Sequence, residues 1–73
     1  MELNDLAPNK GLHRRIRAGF ILKGTTFTAW CRQHEINENN ARSANIGAWD
    51  GPKGRALRER LIDASGLAGR VEE

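Results

Sequence analysis

Residues 26–46 hold two short helical patterns separated by a break, and this spacing limits the possible folds more than any other feature of the chain. Phe27, Trp30, Cys31 and His34 recur at helical intervals and predict one face of a short helix. Thr26 precedes that run as an N-cap, its hydroxyl placed to accept from an orphan backbone N–H. A break carrying Ile36 follows, and Asn37 opens a second helix as another cap. Ala41 and Ala44, three apart, predict a small-residue inner face for helix 37–47, while Glu38, Asn39, Arg42 and Ser43 face elsewhere. A short helix, a tight turn and a second helix with a polar outer face describe a helix-turn-helix.

The remaining segments read as helices too. With 73 residues the chain holds one domain and a small core. Residues 1–8 are expected to be a flexible N-terminal segment, with Leu3 and Leu6 able to tuck onto the body, residues 9–68 the folded domain, and residues 69–73 a flexible tail. Asn9 caps a helix running to about Lys23, in which Leu12, Ile16 and Phe20 recur every four residues. Gly19 in that helix predicts close packing against a neighbour, and Gly24 ends it. Gly47 to Gly51 form a connection containing Trp49. Packed over the second helix, Trp49 anchors the connection; exposed, it belongs to a dimer patch. Pro52 fits a first helical position, where no N–H is needed. Leu57, Leu61, Ile62 and Ala64 give that last helix its apolar side, and Gly66 offers a left-handed stop with Leu67 folding back. No stretch reads as a strand. The expected fold class is all-α, with four helices.

Composition excludes several classes. The single Cys31 rules out an internal disulfide framework and a cysteine-based zinc finger, and suits a reducing compartment. No apolar run approaches the ~20 residues that span a bilayer, and no signal-peptide h-region follows Met1, so a cytoplasmic protein is expected. Cys31 and His34, three apart, invite a metal or nucleophile reading, but His13 is the only further ligand of that kind. No paired carboxylates, phosphate-cradling loop or nucleophile–base pair appears, so neither an enzyme nor a cofactor is expected.

A net charge of +3 favours an anionic partner, and the placement of the charge says more. Between Lys10 and Lys23 lie Lys10, Arg14, Arg15, Arg17 and Lys23 with no acid. Lys53, Arg55, Arg58 and Arg60 face Glu59 alone. The helix-turn-helix itself is nearly neutral, Arg32 and Arg42 standing against Glu35 and Glu38. Basic flanks around a polar helix suit phosphate contacts on either side of a base-reading element.

At this point the chain resembles the lambda-repressor-like fold and, within it, the small Ner-like regulators of transposable phages. The resemblance covers residues 10–67. It rests on the basic first helix, on Thr26-Phe27-x-x-Trp30-Cys31, and on Asn37 opening the next helix. It rests further on Trp49-x-x-Pro52-Lys53-Gly54 and on the closing Ala64-Ser65-Gly66-Leu67. The chain departs from the pattern at Glu35, where a turn glycine is usual, and at Ala41 and Ala44, where larger aliphatics are usual. It departs again at Asn45, in a leucine-like position, and in a link to Pro52 about two residues longer. The resemblance implies a double-stranded-DNA-binding transcriptional regulator of phage or prophage type, a repressor by preference, acting as a homodimer on symmetric sites with no small-molecule ligand.

On that reading Asn39, Asn40, Arg42 and Ser43 contact bases. Arginine forks onto guanine O6 and N7, and asparagine pairs with adenine N6 and N7. Thr26 and Thr28, at the start of the first helix of the pair, contact phosphate, as do Lys53 and Arg14. The acidic balance of residues 26–50 and the open role of Trp49 leave a helical protein–protein adaptor or antitoxin-like module as a rival, and an architectural DNA-binding protein of phage excision or transposition is a further alternative.

Overall fold

Local signals fix where each helix begins. A computed structural model of the chain describes residues 7–67. The helices are α1 (Lys10–Leu22), α2 (Phe27–Gln33), α3 (Glu38–Ile46) and α4 (Pro52–Ser65). No strand occurs among the described residues. Asn9 Oδ1 accepts from the Leu12 N–H at 2.7 Å, Thr26 Oγ1 from Ala29 at 3.0 Å, and Asn37 Oδ1 from Asn40 at 3.1 Å. All three anticipated caps therefore form, each worth about 1 kcal/mol. Pro52 takes the first position of α4, as expected, and Gly66 ends that helix with φ 87°. Leu3, Leu6 and the tail 69–73 lie outside the described residues.

The core follows the predicted stripes. Leu12, Ile16 and Phe20 of α1 meet Phe27 and Cys31 of α2, Ala41 of α3, Leu61 of α4 and the folded-back Leu67, all buried. Trp30, Ile36, Leu57, Ile62 and Ala64 pack around them, partly exposed. The α1, α3 and α4 helices all touch one another, whereas α2 rests on α1 and α3. The expected face of α2 needs one correction: His34 is exposed rather than core. Its ring lies 4.2 Å from that of Trp30, so it covers the rim of the core instead of entering it. No helix among the described residues is long and apolar enough to cross a membrane.

Close approach decides two features of the fold. A Cβ on Gly19 would collide with the Ser65 carbonyl oxygen, so α1 and α4 meet backbone to backbone there. The turn after α2 closes with Ile36 N–H donating to the Cys31 carbonyl at 2.8 Å and Glu35 N–H to that of Arg32 at 3.2 Å. That double bond set is the Schellman ending, which puts its penultimate residue in the left-handed region. Here the residue is Glu35, with φ 57°. A side chain in that region costs about 1–2 kcal/mol, against which Ile36 gains its seat on the core.

Two opposite effects on stability follow. Gly19→Ala should destabilise by about 2 kcal/mol through overpacking, although helix propensity alone favours alanine by about 1 kcal/mol. Glu35→Gly should stabilise by about 0.5–1 kcal/mol, the relief of strain exceeding the added freedom of the unfolded chain. Urea midpoints of the two variants against the parent read both signs.

Candidate functional site

The inner face of α3 consists of Ala41, Ala44 and Asn45, each fully buried. Helical spacing therefore turns Asn39, Asn40 and Arg42 outward, all three exposed, with Ser43 partly covered beside them. Asn39 and Arg42, three apart, border a cleft of about 300 Å³ between α1 and α3. The opposite wall is Lys10, Arg14 and Arg17 of α1. Asn40 and Ser43 lie outside that cleft. The backbone N–H of Asn40 is given to the Asn37 cap, which leaves its side chain uncommitted to that turn.

The cleft floor is formed by two buried rings, His13 and Phe27, meeting edge to face with centroids 5.0 Å apart. His13 Nδ1 lies 3.1 Å from Asn45 Nδ2, which joins α1 directly to α3. With the amide donating, the imidazole is neutral and carries its proton on Nε2. Burial, and then the charges of Arg17 and Arg42, push the His13 pKa below the ordinary histidine value, with Glu38 opposing them. Asn45 Oδ1 is left buried without a partner, a cost of about 1–3 kcal/mol.

The threonines at the start of α2 are both engaged within the protein. Thr26 caps the helix. Thr28 Oγ1 donates to Glu38 Oε2 at 2.7 Å, clasping the first turn of α2 to the first turn of α3. A small hollow beside them is bordered by Arg17 as well, so one guanidinium serves both this hollow and the cleft. Thr26 and Thr28 thus stand next to Arg17, which the sequence places in the basic cluster of α1 without assigning it a contact. The signal was present: Lys10, Arg14 and Arg17, spaced by four and three, mark one stripe of α1.

The second basic cluster has a different fate. Arg58, its side chain 12% exposed, donates to the Ala44 carbonyl at 2.9 Å and to Asp50 Oδ1 at 3.0 Å. It caps the end of α3 rather than facing outward. Arg60 lies over the Trp30 ring, 5.5 Å from its centroid. Lys53 and Arg55 remain exposed on the first turn of α4, Lys53 away from the α1–α3 cleft. The affinity expected of residues 53–60 therefore reduces to Lys53 and to Arg55, which shares Asp50 at 3.7 Å. Trp49 is half-buried. Its backbone N–H donates to the Ser43 carbonyl at 3.1 Å, and its own carbonyl stands where a Cβ on Gly54 of α4 would fall.

Cys31 faces the core, where burial and then the Glu38 charge push its thiol pKa up and favour the protonated thiol. Among the described residues no group of three or more His, Cys, Asp or Glu side chains is arranged to hold a metal ion. Comparison with protein-family models, with curated proteins and with solved structures finds no match.

The lowered His13 pKa gives a pH dependence with a definite sign. The unfolded chain takes up the proton near pH ~6.5, whereas the folded protein resists it until lower pH. Stability is therefore full above that value and declines as pH falls from it toward the folded pKa. A His13→Gln variant should lose less stability between pH 7.5 and 5.5 than the parent, read as the change in urea midpoint.

Proposed function

We propose that this chain is a sequence-specific double-stranded-DNA-binding protein in which α2, the turn and α3 act as a helix-turn-helix, with α3 in the major groove. The reading extends to a lambda-repressor-like, phage-type transcriptional regulator, a repressor by preference, working in the cytoplasm. One observation carries it. The outward polar side of α3, with Asn39 and Arg42, lies directly beside the Lys10–Arg14–Arg17 stripe of α1. Base-edge donors and acceptors next to unshielded cations are what a DNA surface needs, because base contacts specify while phosphate contacts position.

In this arrangement Arg42 forks onto guanine O6 and N7, and Asn39 pairs with adenine, Asn40 and Ser43 reaching the flanking step. Arg14 takes a backbone phosphate on the α1 side, Lys53 one on the α4 side. Thr26 and Thr28 border the phosphate path with their hydroxyls already committed, so their share comes through backbone N–H groups. A nine-residue helix reads few bases. Two copies on a two-fold-symmetric site, one helical turn of about 34 Å apart, supply the missing length.

A second reading draws on one observation. Ile21 and Leu22 at the end of α1 are 64% and 77% exposed, an apolar pair that suits a protein partner. Salt separates the two readings. Binding to random duplex should fall steeply between 50 and 200 mM salt if DNA is the partner. No duplex binding at low salt favours the adaptor.

Selection from a random DNA library should return a two-fold-symmetric site. Arg42→Ala should then relax preference at one base position, a loss of about 1–3 kcal/mol of discrimination. Lys53→Ala should weaken all sequences alike and lower the salt slope by about 1. An unchanged preference in Arg42→Ala would place α3 outside the groove.

A further inference from the structure

The two basic clusters of the chain differ in one respect that points to a ligand. Among the described residues, both ion pairs go to Asp50, from Arg55 at 3.7 Å and Arg58 at 3.0 Å. Lys10, Arg14, Arg17 and Arg42 make none, although all four border one cleft. The single carboxylate on that cleft belongs to Glu38, one oxygen of which accepts from Thr28 at 2.7 Å. Four cations against one acid leave a surplus of positive charge in a hollow of about 300 Å³, at the small end of ligand-binding volumes. Low-dielectric walls focus such a field, and the buried faces of His13 and Phe27 provide them.

We propose that the α1–α3 cleft is a seat for a phosphate group, held by Lys10, Arg14 and Arg17 of α1 and drawn in by the field of Arg42 across it. The spacing of the three α1 residues lets them converge on one anion from one helix face, and arginine forks match phosphate geometry. Arg42 borders the cleft without having to hold the phosphate, so its guanidinium stays available to the outer side of α3. In so far as the phosphate comes from a duplex backbone, the proposal rests on the DNA-binding reading above. A free nucleotide phosphate has the same chemistry and is the other source.

His13, on the cleft floor, reports on occupancy. The groups that face it are Arg17 of its own helix, Arg42, Glu38 and Asn45 of α3, and the Phe27 ring of α2. An anion in the cleft offsets the two guanidinium charges, so the His13 pKa, followed by NMR of its ring, should rise when the seat fills. The full chain is titrated with random 20-base-pair duplex at low salt and, separately, with inorganic phosphate and adenosine monophosphate. With duplex, the His13 pKa should rise. Arg17→Gln and Arg14→Gln should each lower the slope of log affinity against log salt by about 1, for random and selected duplexes equally. Both side chains are exposed, and an unchanged urea midpoint verifies that the variants fold.

The outcomes separate the two ideas. If duplex binds while His13 does not move and both variants keep the parent slope, the seat is overturned and the DNA reading stands. If duplex does not bind, but phosphate or the nucleotide moves His13 in the parent and not in Arg17→Gln, the seat stands with a free phosphate as its ligand and the DNA reading fails. If no probe moves His13, the seat is overturned.

Discussion

Ala41 and Ala44 offer α1 and α4 nothing longer than a methyl group, so α3 has to sit close to both before any apolar surface is buried. Both alanines are fully inaccessible to solvent. Larger aliphatics there would hold α3 further out and open the cleft beside it. Because α3 is drawn in, its outer side comes level with the basic stripe of α1, and the two surfaces act as one. The third inner residue, Asn45, is the exception that this closeness enforces. Its amide meets His13 across the helix pair, and one oxygen remains unpaired. A polar contact of this kind adds little net stability but fixes the rotation of α3 against α1, since a slip of one residue would leave both groups unmatched.

Sequence density of charge is a poor guide to surface charge in this fold. Residues 10–23 and 53–60 look alike as strings, yet Lys10, Arg14 and Arg17 of the first border a cleft without ion pairs, while Arg58 and Arg60 of the second are taken up by contacts within the protein. The reason lies in what each helix passes. The α4 helix runs by the end of α3, where carbonyl groups lack partners, and Arg58 satisfies the one at Ala44 while pairing with Asp50. Arg60 meets the exposed side of Trp30, an aromatic face that attracts a cation. The cleft side of α1 passes no such acceptor. Its stripe looks onto α3 at a point where Glu38 is already turned to Thr28.

The helices were legible because their signals are local. Asn9, Thr26 and Asn37 cap within three residues of themselves, and the every-fourth stripe of Leu12, Ile16 and Phe20 needs only the geometry of one helix. Glu35 was legible as a departure, and its left-handed backbone follows from the turn that Ile36 closes. The candidate site was legible only in part. The outward residues of α3 follow from the alanines opposite them. Contacts made at sequence separations of 10, 14 and 32 do not: Thr28 with Glu38, Arg58 with Ala44, and Asn45 with His13. Each depends on how two helices cross, which no periodicity encodes. The exposure of His34 escaped for a related reason, since a residue at helical spacing can still lie past the edge of the neighbour that would bury it.

On the DNA-binding reading, this separation of charge has a mechanical consequence. Residues 26–46 are almost neutral, and Glu38 stands at the first turn of α3, so apart from the field of Arg42 in the cleft the reading helix supplies little attraction to phosphates. Sequence-independent affinity then belongs to α1 and the start of α4, and discrimination to α3. A helix that carries its own cations holds wrong and right sequences almost equally, because the phosphate term is the same for both. A neutral one depends on matched base edges, and Glu38 adds a charge that a phosphate outside the basic side of the cleft has to avoid. Like-charge opposition of this kind rejects misplaced dockings more than it weakens the correct one. The close seat of α3 against α1 is what makes such a division workable, since the two functions sit on different helices packed directly against each other.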